Sequence, residues 1–143
     1  MDVFSKSKRS EVMSRIRGRG NRSTERRMAA TLRARRISGW QMHRGEIPGK
    51  PDFFFPALRI ALFIDGCFWH ACPKCCKMPA ENSAFWQKKL GANIKRDRRV
   101  RRMLNRAGIS VIRLWEHDLE NATSRFTAVL IRLQGLAAKS ATP

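Results

Sequence analysis

The chain has 143 residues, 43% of them hydrophobic, which is the length and composition of one ordinary domain able to bury a core of its own. Its 30 Lys and Arg against 11 Asp and Glu leave a formal net charge of +19, far beyond what solubility requires, and imply a polyanionic partner. An anionic membrane would call for a basic amphipathic helix with a spare bulky apolar face, and no such segment is found; no run approaches the roughly 18 apolar residues of a spanning helix. Nucleic acid is therefore the expected partner and a membrane is not. The polar start from Met1 to Lys8 does not read as a signal peptide, so a cytoplasmic, nucleoid-associated protein is expected.

Residues 1–22 form a basic arm dominated by Lys6, Lys8, Arg9, Arg15, Arg17, Arg19 and Arg22. Two readings are open: a solvated arm, or one that wraps duplex DNA with Met13 and Ile16 available to a groove. Residues 23–138 read as the main domain and 139–143 as a frayed tail. Ser23-Thr24-Glu25 opens a helix running to about Arg36, with Ser23 or Thr24 as cap and Glu25 complementing the positive end of the dipole. Gly39 to Lys50 is a connector. Pro51-Asp52-Phe53-Phe54-Phe55 then begins a strand, Pro56-Ala57 turns, and Leu58 to Ile64 forms a second strand apolar enough to be covered on both faces. Asp is depleted in strands, so Asp52 at the head of an aromatic strand marks the rim of a site.

The stretch from Asp65 to Cys76 holds all 4 cysteines of the chain and one of its 3 histidines. Cys72-Pro-Lys-Cys75 has the gap that lets two thiolates reach one tetrahedral metal, and Cys67 precedes it. The preferred reading is a structural Zn2+ held by Cys67, Cys72, Cys75 and His117, with Cys76 as an alternative third thiolate. A disulfide needs an oxidising compartment, and a redox Cys-x-x-Cys sits badly with two further cysteines beside it.

Pro79 to Ser83 is a loop with Asn82 or Ser83 as cap, and a long basic helix follows from about Ala84 to Arg106. Trp86, Leu90, Asn93, Ile94, Asp97, Val100, Leu104 and Ala107 recur at helical spacing, so Asn93 and Asp97 are expected to make buried or site-facing hydrogen bonds. The lysines and arginines between them are suited to tracking phosphates. Gly108 stops the helix, and Ile109 to Trp115 is a third strand that brings His117 to its end. Strand, helix, strand in this order predicts a βαβ crossover and parallel pairing. Ser124 to about Ala138 is a final amphipathic helix with Phe126, Val129, Leu130, Leu133 and Leu136 inward.

A basic α/β domain with a metal staple, an acid at a strand start and a histidine beside a metal ligand suits metal-assisted phosphodiester hydrolysis. Asp52 would hold a hard cation such as Mg2+ through oxygen, and His70 would act as general acid or base.

Five motifs then occur in order: Pro48-Gly-Lys-Pro-Asp-Phe53, Asp65-Gly-Cys-Phe-Trp-His70, Glu81-Asn-Ser-Ala-Phe-Trp86, Asn93-Ile-Lys-Arg-Asp-Arg-Arg99 and Leu114-Trp-Glu-His117. Together they resemble the very short patch repair (Vsr) DNA mismatch endonucleases over roughly residues 6–120. The resemblance implies a restriction-endonuclease-like fold, a central mixed sheet flanked by helices, with a structural zinc knuckle. It also implies a monomer that nicks one strand of double-stranded DNA, with Mg2+, 5′ to the T of a T·G mismatch left by deaminated 5-methylcytosine. Carried over by position, it makes Asp52 the principal Mg2+ carboxylate, His70 the catalytic histidine, and Glu25 an acid reaching the metal through water. Phe68, Trp69 and Trp86 match an aromatic wedge, and Lys89 and Asn93 positions facing the mismatched bases. The usual Asp/Glu-x-Lys of this fold is absent: the second strand ends Ile64-Asp65-Gly66, with Ile64 expected to offer only its carbonyl to metal. Asp65 is then a further metal-shell acid or the residue that orients His70. The other readings are a same-fold nicking or restriction endonuclease without T·G preference, and a non-catalytic zinc-knuckle protein that binds nucleic acid.

Overall fold

The computed structural model describes residues 23–67, 72–74 and 80–140. Among the described residues the first helix, α1, covers residues 23–34, close to the span expected for it. It ends where Arg36 adopts a left-handed φ of 57°. Ile37 N–H reaches back to the Leu32 carbonyl at 2.9 Å and Arg36 N–H to that of Arg33 at 3.0 Å, the Schellman pattern that satisfies the last carbonyls of a helix. The buried Leu32 and Ile37 carry the apolar contact that accompanies such an end.

The connector holds a short strand that its composition does not announce, β1 (Gln41–Met42). Trp40 fixes it in place. Its Nε1–H donates to the Ile37 carbonyl at 2.8 Å, and its ring meets Phe53 edge-on at 5.3 Å. β2 (Phe53–Phe55) and β3 (Ile60–Asp65) form the expected antiparallel hairpin, paired Phe53 with Leu62 and Phe55 with Ile60. The apolar run suggests a second strand from Leu58, but Arg59 at φ 52° belongs to the turn, so the strand starts at Ile60 and extends through Asp65. All six of its residues are buried, as a strand covered on both faces requires.

The long helix, α2 (Ser83–Arg106), starts one residue earlier than its periodicity suggests, and Asn82 before it is left-handed with no side-chain cap bond. Its end does match: Ile109 N–H bonds to Leu104 O at 2.9 Å with Gly108 at φ 78°. Arg59 from the hairpin turn donates to the carbonyls of Ala107 and Gly108, tying that helix end to the sheet. β4 (Ser110–Trp115) pairs parallel with β3 from Ile60–Ser110 to Asp65–Trp115, as the crossover predicts. A short helix, α3 (Glu116–Glu120), and a long one, α4 (Ser124–Ser140), complete the chain.

The four strands form one mixed sheet in the order β1-β2-β3-β4. Period-two alternation sends Ile60, Leu62 and Ile64 to one face, where they pack with Met28 and Leu32 of α1 and Leu130 and Leu133 of α4. Ala61 and Phe63 face the other way, onto Leu104 and Val100 of α2. Helices on both faces of a mixed sheet make this an α/β fold, as expected. Within α2, Trp86, Leu90 and Leu104 are buried and Asn93 and Asp97 half-buried, but Ala107 is exposed because the helix has ended by then.

Candidate active site and metal centre

Asp52 owes its position to the loop before it. Gly49 (φ 79°) and Lys50 (φ 50°) are both left-handed, and Pro51 is fully buried. There is no room for a side chain at Gly49: a Cβ would lie 2.4 Å from Val100 Cγ1 and 3.3 Å from the Phe63 ring. The loop is thus wedged between β3 and α2. It delivers Asp52 to the strand edge, where Oδ2 accepts the Ile64 N–H at 2.7 Å. Continuing the β2–β3 register puts Asp52 opposite Phe63, on the α2 side of the sheet.

On that side β3 ends in a charged cluster. Arg113, from the middle of β4, points Nη1 at both carboxylate oxygens of the buried Asp65, at 2.9 and 3.0 Å. Its Nη2 lies 3.8 Å from Asp97 Oδ1 on α2, and its guanidinium covers the Phe63 ring at 4.2 Å. Sequence reasoning passed over Arg113. The available signal was a cation interrupting the apolar run Val-Ile-Arg-Leu-Trp of a buried strand, which calls for a buried acid to meet it.

Immediately beyond β3, three of the expected metal ligands converge. Cys67 Sγ and Cys72 Sγ lie 3.4 and 3.6 Å from His117 Nδ1, and the three donor atoms fall within 4.8 Å of one another. Zn–S bonds of about 2.3 Å and Zn–N bonds of about 2.0 Å in a tetrahedron set S···N edges at about 3.5 Å, so this Cys2His set fits Zn2+. A hydrogen bond of 2.8 Å from Cys72 N–H to Cys67 O closes the knuckle.

His117 is not at a strand end, as its sequence position suggests, but in the first turn of α3. That turn orients the ring. His117 Nε2 faces Asp118 Oδ1 at 3.7 Å, while Asp118 is itself held by Trp115 N–H and Thr123 Oγ1, each at 2.8 Å. The Asp118 carboxylate thus stands behind the ring, where a carboxylate orients a ligating imidazole. Burial, with Glu120 nearby, pushes the Glu116 carboxyl above its ordinary range, while a hydrogen bond from the Cys67 backbone pulls it back.

Glu25 on α1 has His43 Nε2 at 3.7 Å from its carboxylate. Trp86 is buried, with the exposed Phe85 edge-on to it at 5.2 Å. Lys89 is exposed and Asn93 half-buried; Lys88, Lys95, Arg96, Arg98, Arg99, Arg101 and Arg102 are exposed along the same helix. Met13, Phe68, Trp69, His70, Cys75 and Cys76 lie outside the described residues. Among the described residues, no helix is long and apolar enough to cross a membrane.

A family model described as DNA mismatch endonuclease Vsr matches residues 1–77. The type II nicking enzyme V.NaeI of Lentzea aerocolonigenes is 44% identical over 86 residues, covering 59% of this chain and 52% of that protein. The DNA mismatch endonuclease Vsr of Escherichia coli (strain K12) is 36% identical over 117 residues, 80% of this chain and 73% of that protein. The type II nicking enzyme V.XorIIP of Xanthomonas oryzae pv. oryzae is 31% identical over 122 residues, 84% and 88% of the two chains. The match to V.NaeI therefore spans about half of that relative's length.

Proposed function

Since the chain belongs to the Vsr family of DNA endonucleases, we propose that it nicks one strand of duplex DNA 5′ to the thymine of a T·G mismatch. The observation that carries the reading is the Asp52 carboxylate, docked on the Ile64 N–H at the strand end that leads to Cys67. Asp52, with the Ile64 carbonyl and Glu25 through water, would hold Mg2+, which would supply charge neutralisation at the attacked phosphate. His70 moves the proton as general acid or base, and zinc held by Cys67, Cys72, Cys75 and His117 would staple the chain on either side of it.

Recognition follows from the cost of opening the helix. A T·G wobble stacks less well than a Watson–Crick pair, and unstacking a step costs a few kcal/mol. Stacking an aromatic on a base returns about 1–3 kcal/mol, so Phe68 and Trp69 offset much of that cost, while the buried Trp86 is held within the fold. Lys89 and Asn93 then face the mismatched bases, while the basic surface of α2 and the residue 1–22 arm with Met13 follow the backbone as a monomer.

End-labelled duplexes carrying T·G or T·A at one position test this. With Mg2+ the T·G duplex is nicked 5′ to the T and the T·A duplex is not; EDTA stops the reaction. Two relatives named as type II nicking enzymes favour a second reading, sequence-directed nicking without T·G preference. Equal cutting of both duplexes would establish it in place of the first, and binding without cutting would defeat both.

A further inference from the structure

We infer that Arg113 is a positioning residue for the nicking reaction and that Asp65 is its anchor, not a metal-shell acid; the inference rests on the function proposed above. The Arg113 side chain is only 19% exposed and sits in the middle of a strand with buried neighbours on either side. Nη1 lies on both Asp65 oxygens, Nη2 points toward Asp97, and the ring of Phe63 lies beneath the guanidinium. One side chain thus ties the end of β3 to β4 and to α2. The planar fork of arginine lets one side chain reach two carboxylates at once, Nη1 on Asp65 and Nη2 toward Asp97, which the single ammonium of a lysine does not reproduce.

The functional consequence lies in what β3 carries at that end. Ile64 gives its N–H to Asp52, Asp65 takes Arg113, and Cys67 enters the metal cluster. The backbone from 64 to 67 is therefore held at three points, and Arg113 is the middle one. Without it, a buried carboxylate loses its cation, the strand end shifts to find water, and the Asp52 carboxylate moves with the Ile64 amide on which it leans. A misplacement of about 1 Å near reacting groups costs on the order of 100-fold in rate, whereas DNA contacts along α2 and in the arm are untouched.

The test compares the zinc-loaded wild-type chain with Arg113→Met, Arg113→Lys and the charge-neutral double variant Asp65→Leu/Arg113→Leu. Melting temperature, zinc stoichiometry, the dissociation constant for a T·G duplex without Mg2+, and the single-turnover nicking rate are measured for each. Arg113→Met is expected to lose stability and roughly 10- to 100-fold in rate with the dissociation constant within about twofold, and Arg113→Lys to recover part of the rate. The double variant separates positioning from stability, because apolar replacement of both partners of a buried ion pair restores stability. Its melting temperature is expected to return towards wild type while its rate stays low. A double variant that nicks at the wild-type rate, or an affinity loss that accounts for the whole defect, overturns the assignment. A wild-type chain that binds but nicks neither duplex overturns the proposed function instead, and the inference with it.

Discussion

Replacing Gly49 by alanine probes how tightly the fold holds Asp52, and its neighbours provide the controls. At φ 79° an L-residue pays about 1–2 kcal/mol for a left-handed backbone. The new methyl would also sit 2.4 Å from Val100 Cγ1. Val100 is β-branched and inside α2, where one rotamer dominates, so it cannot swing aside. Overpacking of this kind costs about 1–3 kcal/mol. Together the two effects amount to about 2–5 kcal/mol, and at about 2–4 °C per kcal/mol for a chain of this size the melting temperature falls by roughly 4–20 °C. Gly39→Ala isolates the backbone cost, since Gly39 has φ 83° but nothing within 4 Å of a new Cβ. Gly45→Ala, with neither constraint, is expected to stay within about 0.5 kcal/mol of wild type. Calorimetric melting of the three variants is the assay. The loop reading is refuted if Gly49→Ala melts with Gly39→Ala, because the contact with α2 would then carry no energy.

Further predictions address the metal centre, a helix end and the charge. Cys72→Ser removes one of the three converging donors and is expected to abolish zinc binding and lower the melting temperature well beyond any glycine variant; unchanged zinc stoichiometry would contradict the ligand set. Asp118→Asn, behind the His117 ring, is expected to weaken zinc affinity about 10- to 100-fold, read by chelator competition. Arg36→Gly relieves a left-handed arginine at the end of α1 and is expected to stabilise by about 0.5–1 kcal/mol in a denaturant titration. Duplex affinity is expected to fall about 10³- to 10⁵-fold between 50 and 200 mM salt if 6–10 phosphates are contacted, measured by fluorescence anisotropy.

The parts of this fold written in local periodicity were readable from the chain. The aromatic run Phe53–Phe55, the apolar run of β3 and the helical spacing of Trp86, Leu90 and Leu104 each name their own element. The spacing of strand, helix and strand then dictated the parallel pairing. What was not readable depends on partners distant in sequence. β1 is two residues long and exists because Trp40 packs on Phe53 across the hairpin. α3 is a five-residue helix stabilised by Asp118 and Thr123, so His117 is presented from a helical turn instead of a strand end. The same holds within the site. Cys67, Cys72 and His117 share a residue chemistry that announces metal at any separation, and they do converge. Asp65 and Arg113 are 48 residues apart; a cation in an apolar strand asks for an acid, but only the parallel register of β3 on β4 says which one meets it.

The account stands or falls on the Asp52 carboxylate. Its most direct test is the single-turnover nicking rate of Asp52→Asn on a T·G duplex with Mg2+, using protein that retains wild-type zinc content, melting temperature and DNA affinity. Loss of at least about 100-fold in rate, the scale of removing one group that stabilises charge at a reacting centre, is predicted. A variant that nicks within a few-fold of wild type would contradict it.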